Sequence, residues 1–212
     1  MSGSPLTLGF YVLNRVRYDK SMKIILGSKS ARRQDILRKM GYHFEVKSAD
    51  IDEKLIRENN PETLTLRLAN AKAEKLLEDI QEPVILITSD IVCVCDGKIL
   101  EKPESKEEAE DFLKKYGQHP VETVCAVVVT NAANGKRLEG IDRATVYFNP
   151  IPQEVIDMLV NQKTTYDYAG GFNVADPLVS PYIDHIDGEL DSVMGLPQKL
   201  TKQLLEQIEH ES

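Results

Sequence analysis

The chain has 212 residues, 42% of them hydrophobic, which is enough apolar material for a sizeable core. Its net charge of -8 and its lack of tryptophan argue against nucleic-acid or anionic-membrane binding driven by a general positive field. An anionic ligand has to be met by a focused group of cations or by a divalent metal.

No apolar run approaches transmembrane length, and residues 1–22 lack the charged-then-apolar order of a secretory signal. The expectation is a cytoplasmic protein without membrane contact, with 1–22 an N-terminal extension and 23–212 a single domain. The GFYVLNRVRYDK stretch in that extension mixes basic and apolar residues, which leaves an organelle-targeting role open.

KIILGSKSARRQDILRKM, Lys23 to Met40, reads as a short buried strand, a small polar turn and a helix. Free amides and the positive end of the dipole favour an anion at such a helix start, where Ser28, Lys29, Ser30, Arg32 and Arg33 crowd together. The bland alternative is a Ser30 cap with solvated cations. Neither GxxxxGK[ST] nor GxGxxG is present, so this is neither a P-loop nor a dinucleotide fingerprint.

A strand over His43–Ser48 and an acidic turn, Ala49–Lys54, come next. Asn60 and Pro61 then open a helix whose apolar stripe runs to Gln81 and carries Lys72 on its flank. Val84–Thr88 is a continuous apolar strand, and Asp90 interrupts it before a second run, Ile91–Cys95. A lone acid there is either a turn residue or a functional carboxylate. Asp96-Gly97 marks a hairpin that returns Lys102 towards Asp90.

Ser105–Glu108 is a capping box for a helix faced by Ala109, Phe112, Leu113 and Tyr116. Two strands flank Asn134-Gly135, Pro152 opens a further helix, residues 164–181 are irregular, and an amphipathic helix closes the chain. Cys93, Cys95 and Cys125 read as buried reduced thiols, and the four histidines show no metal-ligand spacing.

LGSKSARRQDIL, DIDE at Asp50–Glu53, RLANAKA at Arg67–Ala73, TSDIV at Thr88–Val92, EKP at Glu101–Pro103, AGGF at Ala169–Phe172 and GLP at Gly195–Pro197 keep an order and spacing that together resemble the Maf family. The resemblance runs from about Lys23 to the end. It implies an α/β, elongated Maf/ITPase-like fold, with a central mixed sheet, flanking helices and a cleft between two lobes. It implies a nucleoside triphosphate pyrophosphatase that cleaves between the α and β phosphates with a divalent cation, Mg²⁺ or Mn²⁺, and a possible homodimer.

Carried over by position, Asp90 is the catalytic base and Lys72 and Lys102 face the phosphates. Ser28 and Arg33 belong to the phosphate loop, and Glu53 joins Asp90 at the metal or water. Arg32, Ile91 and Ala175 fall where the family's branches differ. The dTTP/UTP branch has threonine after the acid and a late loop like KAGAYGIQG; the 7-methyl-GTP branch has SDQV and CAGSFKSEG. Here Ile91 follows Asp90, Tyr168 stands for the lysine and Ala175 for the glutamine or glutamate. Arg32 looks like the first branch, Ser89 and Phe172 like the second, so the expectation is broad selectivity leaning to purine or methylated bases. The competing class is a non-catalytic nucleotide-binding, cell-division regulatory protein with the same fold, which loss of Asp90, Lys72 or Lys102 would have favoured.

Overall fold

A computed structural model describes residues 22–210, so the proposed extension before Met22 lies outside the described residues. Strand β1 (Lys23–Leu26) runs into α1 (Ala31–Lys39), with Ser30 Oγ accepting from the Arg33 amide at 3.5 Å as the cap. β2 (Phe44–Val46) follows, and the acidic stretch then makes a 3-10 turn at Glu53–Leu55. Helix α2 spans Pro61–Leu77, and Asn60 Oδ1 accepts the Thr63 amide at 2.9 Å.

The stripe read to Gln81 overshoots that helix. It closes in a turn at Glu78–Ile80, and Ile80 stays buried outside it; Pro83 disfavours helical geometry at the residue before it.

A second departure concerns Asp90, which lies inside a single strand, β3 (Val84–Cys95), and not at a turn between two. The register of β3 against β5 (Val121–Asn131) is unbroken from Ile85↔Asn131 to Cys95↔Val121. Asp96 and Gly97, both with positive φ (50° and 70°), make the tight turn into β4 (Lys98–Leu100). Helix α3 (Lys106–Tyr116) precedes β5, and β6 (Arg137–Phe148) pairs antiparallel with β5. Helix α4 (Gln153–Val160) leads into a segment of short 3-10 turns at Lys163–Asp167 and Ala169–Gly171. β7 (Ile183–Asp187), the one-turn α5 (Leu190–Val193) and α6 (Gln198–His210) complete the described chain.

The seven strands form one mixed sheet in the order β2-β1-β3-β5-β6-β7, with β4 added to β3. Strand alternation sends Val84 and Leu86 into a cluster under α2, and Ile85 and Ile87 to the other face under α1 and α6. Further along that second face Cys93 and Cys95 join another cluster, made by α3, α4, Phe148 and Phe172. The two clusters on this face divide at Ser89 and Ile91. Cys93, Cys95 and Cys125 are free and buried, as their apolar settings imply.

Candidate active site

β1 pairs with β3 only through Ile87, and β4 begins its pairing at Cys93. Between them the β3 edge facing away from β5 is covered by no strand among the described residues. Asp90 sits in this gap, paired across to Ala126 and only 6% exposed. A carboxylate is tolerated in a central strand here because the sheet is open beside it and because a cation reaches it.

That cation is Lys72. It shares the buried side of α2 with Leu68, Ala69 and Leu76, so its stem lies against the core while its ammonium reaches the gap. Nζ is 2.5 Å from Asp90 Oδ1 and 2.8 Å from Glu53 Oε1, and the lysine side chain is 13% exposed. Glu53 is delivered by the 3-10 turn between β2 and α2. Partial burial pushes its carboxyl up, but the Lys72 ammonium outweighs that, with Lys102 and Arg33 adding, and the net direction is below the usual carboxylate range. Lys102 is exposed on the return from β4, close enough to act on Glu53 through its field.

Arg33 is buried and tied to the protein. Nε donates to Gly195 O at 2.8 Å and Nη1 to Ser89 O at 2.7 Å, with Ser28 Oγ at 3.4 Å. Ser28 Oγ also accepts the Ser30 amide at 3.2 Å. One guanidinium thus joins the turn after β1, the open edge of β3 and the Gly195 turn, and Ser89 Oγ donates to the same Gly195 oxygen at 2.9 Å. Arg33→Ala would leave two buried carbonyls without these donors. We expect it to destabilise the protein by about 2–4 kcal/mol, read as a clear fall in thermal midpoint beyond any change in substrate affinity.

Alternation along β3 places Asp90 and Ile91 on opposite faces. Ile91 lies on the face of Cys93 and Cys95, where it lines a pocket with Arg32, Cys93, Thr123, Ala169, Phe172, Val174 and Val193. Phe172 is buried, edge-on to Tyr116 and Phe148 at 5.4 Å each, so it serves the core as well as the pocket wall. Ala175 is exposed in the late loop and does not line this pocket. Arg32 does, with its guanidinium carbon 4.1 Å from the centroid of the Tyr168 ring.

The structure therefore brings Asp90 and Glu53 into contact with Lys72, with Lys102 nearby, and puts Arg32 and Ile91 on the opposite face of β3. Sequence reasoning missed the Gly195 carbonyl, and it named Tyr168 only as the residue standing for a family lysine, without its contact to Arg32. The GLP motif was visible, but nothing local says that its carbonyl meets an arginine 162 residues away. Among the described residues no helix is long and apolar enough to cross a membrane. Nor does any group of three or more His, Cys, Asp or Glu among them gather as a metal site.

Two carboxylates that share one lysine thus lie at the open edge of this mixed sheet. The Maf-like protein family model matches residues 23–208, and the chain belongs to this family. It is 42% identical over 195 residues to the 7-methyl-GTP pyrophosphatase of Dictyostelium discoideum, which covers 89% of this chain and 98% of that protein. It is 34% identical over 187 residues to the dTTP/UTP pyrophosphatase of Thermotoga maritima, with 87% and 88% covered. The dTTP/UTP pyrophosphatase of Vibrio vulnificus strain YJ016 is 32% identical over 183 residues, with 86% and 97% covered.

Proposed function

We propose that the chain is a nucleoside triphosphate pyrophosphatase, releasing a nucleoside monophosphate and pyrophosphate. The observation that carries this is the single lysine shared by Glu53 and Asp90 at the open edge of β3. Names of relatives across the full family match support the same reading.

In this reading the Asp90 carboxylate orients a water and takes its proton as the water oxygen bonds to phosphorus. The α–β bridge bond then breaks and pyrophosphate leaves. Lys72 and Lys102 stabilise the charge that develops on the phosphoryl oxygens and the leaving group. Ser28 and the amides opening α1 receive phosphate, with Arg33 holding that turn against β3. Glu53 and Asp90 suit a hard divalent ion such as Mg²⁺ or Mn²⁺. Their oxygens already converge on one positive charge, and such an ion takes one or two carboxylates with phosphate and water. When bound, it neutralises triphosphate charge.

The base lies against the pocket of Arg32 and Ile91. Ser89 O faces the open edge, so alternation turns the Ile91 amide and carbonyl to the same side, where they can pair with a base edge. The Ile91 side chain and the exposed Ala175 add no polar reader, and apolar contacts separate bases only weakly.

A panel of 7-methyl-GTP, GTP, ATP, CTP, UTP and dTTP with Mg²⁺ tests this. We expect pyrophosphate with no orthophosphate, and 7-methyl-GTP and GTP within about tenfold of each other in kcat/KM. Release of orthophosphate would overturn the reaction. Tight preference for one pyrimidine would overturn the base assignment.

A further inference from the structure

Arg32 stands apart from the other cations of the first turn. It is half-buried, and burial draws its pKa below the ordinary arginine value. The groups that face it are the Tyr168 ring, Arg33 and Cys93. Burial pushes the Cys93 thiol up to about 12, so that sulfur brings no negative charge at neutral pH. No ion pair to Arg32 is found among the described residues, whereas Arg38, on the exposed side of the same helix, bridges to Asp35. The aromatic face at 4.1 Å is therefore the contact that fixes its direction.

Tyr168 is itself held. It lies between the two 3-10 turns, and the Gly170 that follows is clamped from two sides. The Gly170 amide donates to Glu101 O at 2.9 Å, and the buried Tyr116 hydroxyl donates to Gly170 O. Gly170 has a φ of 69°, and a Cβ there would stand 2.8 Å from the Tyr116 hydroxyl oxygen and 3.0 Å from Cys93 Sγ, so the clamp demands glycine. The ring against Arg32 is thus anchored to the same return that carries Lys102.

We propose that Tyr168 is a specificity-positioning residue: by stacking on Arg32 it aims the guanidinium at the base pocket, where the fork pairs with the acceptors of an unmodified base. Guanine presents O6 and N7 to such a fork. Methylation at N7 removes one acceptor and adds positive charge, so it weakens this particular contact. Losing the ring then lowers the use of GTP more than that of 7-methyl-GTP. This rests on the pyrophosphatase reading above, and the two fail differently.

The test compares kcat and KM for GTP and 7-methyl-GTP in the parent, Tyr168→Phe, Tyr168→Leu and Tyr168→Met, with Arg32→Ala as a second background. Phe keeps the aromatic face and keeps the parent ratio. Leu and Met raise KM for GTP about five- to tenfold, consistent with an aromatic contact to a partly buried cation, while kcat moves less and 7-methyl-GTP changes little. In the Arg32→Ala background the same substitutions leave the ratio where Arg32→Ala puts it.

Equal losses for both substrates would make Tyr168 a loop-packing residue only and overturn the proposal. So would an unchanged ratio in both Leu and Met, or a shift that persists without Arg32. Absence of pyrophosphate release in the parent enzyme would instead defeat the functional reading itself.

Discussion

Asp90→Asn is expected to lower turnover by roughly 10³-fold or more while the protein folds and binds nucleotide. The amide keeps the shape of the side chain at the β3 gap but takes no proton from water. Lys72 keeps its contact with Glu53, 2.8 Å away, so the ammonium is not stranded when Asp90 loses its charge. Binding stays level or tightens, because one negative charge facing the triphosphate is gone. Single-turnover rate and ligand affinity, measured separately, check this; near-parental turnover would remove Asp90 from the chemistry.

Lys72→Ala should cost on the order of 10²-fold in kcat, with Lys102→Ala acting in the same direction. The lysine variant at position 72 has a further signature. Glu53 loses the ammonium that holds its carboxyl below the usual carboxylate range. An acidic limb set by Glu53 should therefore move to higher pH in the pH–rate profile, since that carboxyl then holds its proton longer. A loss of rate with an unmoved limb would make Lys72 a phosphate ligand whose effect on Glu53 does not reach turnover.

The local signals in the sequence carried much of the fold. Ser30, Asn60 and Ser105 cap where their side chains and spacing imply, and Asp96-Gly97 turns β3 into β4. Lys72 and Asp90, the residues that the family resemblance singles out, meet directly.

What escaped the sequence depends on long-range geometry. Asp90 looked like a break because a carboxylate is out of place in a buried strand; the interruption of β1–β4 coverage that accommodates it is a property of the assembled sheet. Arg33 read as a phosphate cation, and its bond to Gly195 arises only when the far end of the chain folds back. The irregular late stretch showed no period, so neither the Gly170 clamp nor the Arg32–Tyr168 stack could be seen in it.

The unbroken run of β3 has a mechanical consequence. This twelve-residue strand serves both apolar clusters on the face of Ile85 and Cys93, and β5 pairs with it from Ile85 to Cys95. A scissor-like opening at Asp90 would shear that ladder, since no slack segment joins the halves there. Breathing is left to the turn that carries Glu53, since the loop that carries Tyr168 is pinned through Gly170. The sheet acts as a stiff beam beneath that turn, so amides along β3 and β5 should exchange with solvent far more slowly than those at 50–58.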